Sequence, residues 1–206
     1  MQTKEHWEHL YSTKPPNGVS WFQEHAERSL RLIQGTGVPP SASIIDIGGG
    51  TSPLVDDLLQ SGYSAVTVLD ISGVALAAAQ KRLGSRSGRV GWIEANIADV
   101  VLPVHTYDVW HDRAVFHFLT TPQDRQAYVQ ALRRAVKPGG HIILATFAED
   151  GPTECSDLPV RRYSANELCA ELGTLFTLVK HEKEEHHTPF GTVQKFVYCY
   201  FRRGDA

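Results

Sequence analysis

This chain has little concentrated positive charge and little cysteine. Its 206 residues carry 20 lysines and arginines against 23 aspartates and glutamates, a formal charge of −3. Phosphate backbones need a concentrated basic surface. The basic clusters here are only pairs (Lys81-Arg82, Arg133-Arg134, Arg161-Arg162, Arg202-Arg203), so no nucleic-acid partner is expected. Three cysteines, Cys155, Cys169 and Cys199, are odd in number and far apart; that fits a reducing cytoplasm better than a disulfide framework. No apolar run approaches the roughly 18 residues of a membrane span, and the start, Met1 to His6, lacks the apolar core of a signal peptide. The expectation is therefore a cytoplasmic protein with no membrane partner.

Several reactive signatures are missing as well. A dinucleotide fingerprint, G-x-G-x-x-G, needs a third glycine that lets helix and strand pack closely. Counted from Gly48, that place is held by Pro53. There is no G-x-x-x-x-G-K-[ST] phosphate loop and no G-x-S-x-G elbow. No metal site is expected. His181, His186 and His187 fall on one polar stretch that reads as an exposed strand, where neighbours face opposite sides. Cys155 has no Cys or His at ligand spacing.

What is present centres on residues 44–52. Ile44 and Ile45 run into Asp46, then Ile47, and then Gly48, Gly49, Gly50, Thr51 and Ser52. This reads as a buried strand, a tight turn and a helix start, with Thr51 or Ser52 as cap and Pro53 in the first turn. Leu54, Val55, Leu58 and Leu59 give the helix one apolar face, and Gly62 stops it. A second strand, Ala65 to Asp70, also ends in an acid that can accept both hydroxyls of a ribose. Asp46 beside the glycines suits a cationic ligand better than a phosphate. Together, D-x-G-x-G followed by an acid closing the next strand resembles the S-adenosylmethionine (SAM) site of class I methyltransferases. Ser52 stands where many members have a third glycine.

That resemblance implies a doubly wound α/β fold: a mostly parallel seven-stranded sheet, one antiparallel strand near the C-terminus, and helices on both faces. It implies a single domain over 1–206, with an N-terminal helical arm (1–40) before a Rossmann-like core (41–206). It assigns SAM, with S-adenosylhomocysteine as product, to Asp46, Gly48, Gly49, Gly50, Asp70 and Ile71. After strand three, Val90 to Glu94, the family places an acid and an apolar residue against the adenine; here those places hold Asn96 and Ile97. The alternative is a turn asparagine and a core isoleucine.

Strand four, Tyr107 to His111, ends in His111-Asp112-Arg113-Ala114-Val115-Phe116-His117. Ligands of open α/β sheets sit at the carboxyl ends of strands. Asp112 and Arg113 are therefore expected at the methyl-transfer end, with His117 as a possible base and His111 beside the cofactor; each histidine could instead be a satisfied core residue. The Asp-Arg-Ala run resembles thiopurine S-methyltransferases and, less closely, the Asp-Lys-Gly-Thr string of some elongation-factor lysine methyltransferases. Thr121-Pro122-Gln123-Asp124 opens a helix, and Lys137-Pro138-Gly139-Gly140 turns into strand five, His141 to Phe147, a turn frequent in the resembled family.

The remaining segments complete the plan. Residues 3–11 read as a short helix, and Ser20 as the cap of a second helix ending near Gly35. In the resembled family such an arm often folds over the site, which makes Trp7, Tyr11 and Trp21 candidate lid residues; they could equally be packing alone. The polar loop 148–163 is long for a connection, and Cys155, Arg161, Arg162 and Tyr163 could touch substrate. Ser164 opens a capping box. Strands over 177–188 and 192–202, joined at Pro189-Phe190-Gly191, form a hairpin, so one of them is antiparallel. The expected activity is methyl transfer from SAM to an N, O or S nucleophile of a small molecule. A protein-lysine acceptor and a SAM-binding module without catalysis remain the alternatives. Oligomeric state is not legible.

Overall fold

The computed structural model describes residues 3–205; Met1, Gln2 and Ala206, at the ends of the expected domain, lie outside the described residues. Seven strands form one sheet: β1 (Ser43–Ile47), β2 (Ala65–Asp70), β3 (Val90–Glu94), β4 (Tyr107–Arg113), β5 (Val136–Phe147), β8 (Phe176–His187) and β9 (Val193–Arg203). Their order is β3-β2-β1-β4-β5-β9-β8. The first five pair in parallel, and β9 runs antiparallel between β5 and β8. This is the sheet expected from the sequence, including the hairpin at the end of the chain.

The helices divide between the two faces. α1 (Lys4–Thr13), α2 (Glu27–Gln34), α3 (Leu54–Gln60) and α4 (Gly73–Leu83) cover one face through Trp7, Leu32, Leu58 and Leu76. α5 (Pro122–Ala135) and α6 (Ala165–Leu172) cover the other through Tyr128, Leu132 and Leu168. β1 is buried on both sides, as a central parallel strand must be. Each of its fully enclosed isoleucines contributes about 1.5–3 kcal/mol by leaving water. Local signals behave as read: Thr121 accepts from Asp124 N–H, Ser164 and Glu167 form a capping box, and Gly62 and Gly84 end helices at positive φ.

Three expectations change. The second helix does not start at Ser20 but at Glu27. Its cap is tertiary: the Asp57 carboxylate, from α3, accepts from the Ala26 N–H at 2.8 Å. Ser20 is used elsewhere, as described below. The Lys137–Gly140 turn is drawn into the start of β5 as an irregularity, with register slipping between Tyr107 and Val109. The loop 148–163 is not wholly irregular, since β6 (Glu154–Cys155) and β7 (Leu158–Pro159) pair within it.

Candidate active site

The carboxyl ends of β1, β2, β4 and β5 open into one cleft. Its empty volume is about 980 Å³ including the open mouth. A smaller recess adjoins it over the glycine loop and shares Gly48, Trp21 and Arg113.

One end is built by the first β-α-β unit. Gly48 has φ +66°, and a Cβ there would run into the Val115 side chain; only glycine fits. A Cβ on Gly50 would lie 2.5 Å from an Asp70 carboxylate oxygen. At these glycines the loop is packed so closely against Val115 and Asp70 that no side chain fits. Asp70 is buried, and its Oδ1 accepts from the Ser72 N–H at 2.8 Å. Burial raises its pKa to about 7, against the pull of backbone N–H groups and helped by Asp46. Gly48, Asp70, Ile71, Asn96 and Ile97 all line the cleft. The Asn96 side chain is nonetheless committed to its own turn: Nδ2 donates to Asp99 at 2.8 Å and Oδ1 accepts from the Ala98 N–H at 3.1 Å.

Asp46 and Gly49 line the recess. In the sheet register Asp46 stands directly beside His111, so their bond follows from strand pairing. His111 Nδ1 donates to Asp46 Oδ1 at 2.6 Å, and its Nε2 pairs with Ser29 Oγ at 2.8 Å. All three residues are buried. The order serine, histidine, aspartate mimics a hydrolytic triad, yet Ser29 sits in the packed face of α2 and is 1% exposed. The chain instead ties α2 to the loop and leaves Asp46 Oδ2 buried without a hydrogen-bond partner.

Strand four separates the residues expected to act together. Successive side chains on a strand face opposite sides. Arg113 lines the cleft, whereas Asp112 points to the other face. There its carboxylate accepts from Tyr128 OH (2.7 Å), Val115 N–H (2.8 Å) and Phe116 N–H (3.1 Å). Asp112 therefore holds the turn that follows β4 and is not among the residues lining the cleft; burial raises its pKa to about 6. His117 is corrected too. It is fully buried, accepts from the Phe147 N–H at Nδ1, and is held to about pH 3 by burial and by Arg113. It is neutral at ordinary pH, is not among the residues lining the cleft, and is unsuited to act as a base.

The far end of the cleft comes from distant parts of the chain. Trp7, Tyr11 and Trp21 of the N-terminal arm meet Phe118, with ring centroids 5.2–6.4 Å apart. Phe147, Cys155, Gln194 and Phe196 complete the wall. Arg113 is fixed among them. Its Nε donates to Tyr198 OH (2.8 Å), a terminal nitrogen donates to the Trp21 carbonyl (3.3 Å), the group pairs with Glu184 (3.5 Å), and it lies 4.5 Å over the Phe196 ring. Burial pushes the Cys155 thiol up to about 11 and the Tyr11 phenol well above its ordinary value, so both keep their protons at neutral pH. The arm is latched by Glu8, whose carboxylate accepts from Gly73 N–H (2.9 Å) and Val74 N–H (3.2 Å) at the start of α4.

Of the loop residues expected near substrate, only Cys155 lines the cleft. Arg161 pairs with Glu171, Arg162 donates to the Gly151 carbonyl, and Tyr163 is wholly buried. β8 is not a merely solvated strand. Glu182 and Glu184 pair with Arg28, Arg31 and Arg113, and His186 Nε2 donates to the Ser20 carbonyl at 2.8 Å. Sequence reading missed Gln194, Phe118 and Phe196 as site residues. The signal was there: Gln194, Phe196, Tyr198 and Tyr200 alternate along β9, and a carboxamide heading a row of aromatic rings is unusual for plain packing. Among the described residues no cluster of His, Cys, Asp and Glu could hold a metal ion, and no helix is long and apolar enough to cross a membrane.

Residues 44–140 match the family described as "Methyltransferase domain". EEF1A lysine methyltransferase 2 of Danio rerio is 27% identical over 162 residues, covering 71% of this chain and 69% of that protein; across curated relatives the chain spans from 21% to 69% of their length. A solved structure concerned with conversion of a disulfide bond into a thioacetal group during echinomycin biosynthesis superposes with a TM-score of 0.80. It is 20% identical and covers 99% of this chain and 93% of that one. The Burkholderia thailandensis 1,6-didemethyltoxoflavin-N1-methyltransferase, solved with its acceptor and S-adenosylhomocysteine, gives 0.70 at 21% identity over 90% of this chain and 81% of that one.

Proposed function

We infer that this chain, a class I SAM-dependent methyltransferase, methylates a small apolar molecule held under its N-terminal arm. SAM supplies an electrophilic methyl on a cationic sulfonium. The loop fits it: Gly48 lines the cleft and Gly49 the adjoining recess, and Asp46, which also lines the recess, keeps a buried oxygen without a hydrogen-bond partner. In this reading Asp46 with the loop 48–50 takes the amino-acid end, Asp70 the ribose, and Ile97 with the Asn96 turn the adenine. Trp21, Ile71 and His111 frame the same pocket. Arg113 stays beside the acceptor; Asp112 and His117 act only by supporting the frame.

The observation that carries the acceptor class is the aromatic wall with a fixed guanidinium inside it. Flat rings hold a flat apolar molecule and exclude water. A lysine ammonium would gain about 2 kcal/mol from such rings. A like charge roughly 6 Å away costs about 3 kcal/mol at an effective dielectric of about 20. Glu184 offsets part of that, but three arginines (28, 31 and 113) share the two carboxylates 182 and 184. Among the titratable groups lining the cleft, Tyr11 and Cys155 hold their protons, the Asp124 carboxylate accepts from Thr121 Oγ1 at 2.8 Å, and Asp70 ends β2, two strands from β4 and so about 10 Å away. The acceptor must therefore arrive as a competent nucleophile, and the protein contributes alignment and a dry site. A protein-lysine acceptor is the second reading, favoured by the relative from Danio rerio.

The test uses SAM labelled on its methyl group, purified protein, and a cell extract separated by size after reaction. Label in the small-molecule fraction is expected. Label in a protein band would establish the second reading instead, and bound SAM without transfer would leave a non-catalytic module.

A further inference from the structure

Two side chains in the aromatic half of the cleft keep a buried polar atom without a hydrogen-bond partner: Arg113, whose Nη2 still pairs with Glu184 at 3.5 Å, and Gln194, whose free atom is an acceptor. Gln194, near the start of β9, is 8% exposed and belongs to the cleft wall between Phe196 and the arm. Its Nε2 donates to Ser20 Oγ at 3.1 Å. The Ser20 carbonyl accepts from His186, which pairs directly across from Gln194 in the β8–β9 ladder. The carboxamide is thus clamped through the serine it holds, and its Oε1 is buried with no hydrogen-bond partner. Buried amide oxygens are nearly always paired, because leaving one dry and unpaired is costly. In a pocket whose other walls are rings, the missing donor is most economically supplied by the ligand.

We propose that Gln194 is the residue that recognises the acceptor, and that the acceptor is a flat nitrogen heterocycle bearing an N–H donor on its edge. This rests on the methyl-transfer reading above and adds to it a substrate class and a residue that selects it. The rings (Trp7, Trp21, Phe118, Phe147 and Phe196) set thickness and apolarity. Gln194 sets register, because a single directional bond inside a slot fixes rotation in the plane of the ring. Arg113, stacked on Phe196 and held by Tyr198, disfavours a cationic ring and suits one with a carbonyl. Sites of this construction discriminate strongly against analogues lacking the donor, since the protein's own buried group is then stranded.

The experiment measures binding by calorimetry to the full chain saturated with S-adenosylhomocysteine. The probes are 2-quinolinone, which carries the N–H beside a carbonyl, and N-methyl-2-quinolinone, which has the same shape without the donor. The expected preference for the N–H form is about tenfold or more. Gln194→Glu, which keeps an accepting oxygen, retains the preference; Gln194→Met, which keeps the length and loses the oxygen, brings the two probes to within about twofold. A general loosening of the wall would weaken both probes alike and leave their ratio unchanged. Equal binding of the probes to the unaltered protein, a preference surviving in Gln194→Met, or no binding of either probe while S-adenosylhomocysteine still binds would each overturn the proposal. Failure to bind S-adenosylhomocysteine is read separately, in the first titration, and would overturn the cofactor reading beneath it.

Discussion

The two halves of the cleft are built in opposite ways. The glycine-loop half is nearly contiguous: Asp46 to Gly50 and Asp70 to Ser72 belong to one β-α-β unit, and the bond from Ser72 N–H to Asp70 spans two residues. The aromatic half is assembled from the ends of the chain. Gln194 reaches Ser20 across 174 residues, Arg113 reaches the Trp21 carbonyl across 92, and Arg28 reaches Glu182 across 154. A half made of neighbours is specified by local turn chemistry, and a half made of strangers only by the whole sheet. The first is suited to a constant ligand, and the second can be retuned by changes on elements that do not touch the first.

The largest effect should come from a residue that lines neither half and holds the turn after β4 behind both. Asp112→Ala would strand two backbone N–H groups and the Tyr128 hydroxyl in the interior and cost about 3–5 kcal/mol. At about 2–4 °C per kcal/mol for a chain of this size, thermal unfolding should fall by roughly 10 °C, and both halves should fail together. A loss confined to one half would break the idea of a common frame.

Asp70→Ala tests the contiguous half alone. SAM affinity by calorimetry should fall at least about tenfold, or ~1.4 kcal/mol, with Gln194-dependent probe selectivity kept; unchanged affinity would remove Asp70 from the ribose. The same residue gives a pH signature. With its carboxyl raised to about 7 from an ordinary 3.8, the folded protein without ligand binds that proton more tightly than the unfolded chain. Its contribution to stability is complete below about pH 4, falls as pH rises toward 7, and is flat above. Asp70→Asn should therefore melt higher than the unaltered protein at pH 8 while binding SAM more weakly. SAM affinity should rise between pH 6 and 8 in the unaltered protein only.

Smaller effects belong to the assembled half. Glu8→Ala releases the arm from the start of α4 at a cost of about 1 kcal/mol; the acceptor KM should rise while SAM affinity stays within about twofold. Arg31→Ala removes a half-exposed partner of Glu182 and should change stability by no more than about 0.5 kcal/mol, measured by denaturant midpoint. A larger loss would mean that the arginine row beside β8 acts as one network.

Much of the fold was legible because its signals are local. Caps at Thr121 and Ser164, stops at Gly62 and Gly84, and acids ending β1 and β2 need only near neighbours to work. Errors fell where a distant group took over. α2 begins late because Asp57, not Ser20, caps it. Asp112 and Arg113 are neighbours in sequence, yet strand alternation sends their side chains to opposite faces of β4. β8 looked solvated because its glutamates could not be matched in advance with arginines some 150 positions away.

By itself, the sequence determined the strand-turn-helix units, the closing hairpin, the glycine loop and the cofactor class, because turns, caps and strand-ending acids act over a few residues. Tertiary structure alone decided that Asp46 is fastened through His111 to Ser29, that His117 is a dry neutral core residue, and that Gln194 stands unsatisfied among rings from three other segments. Those properties depend on which surfaces exclude water together, and desolvation and partner geometry exist only once the sheet has brought distant segments into contact.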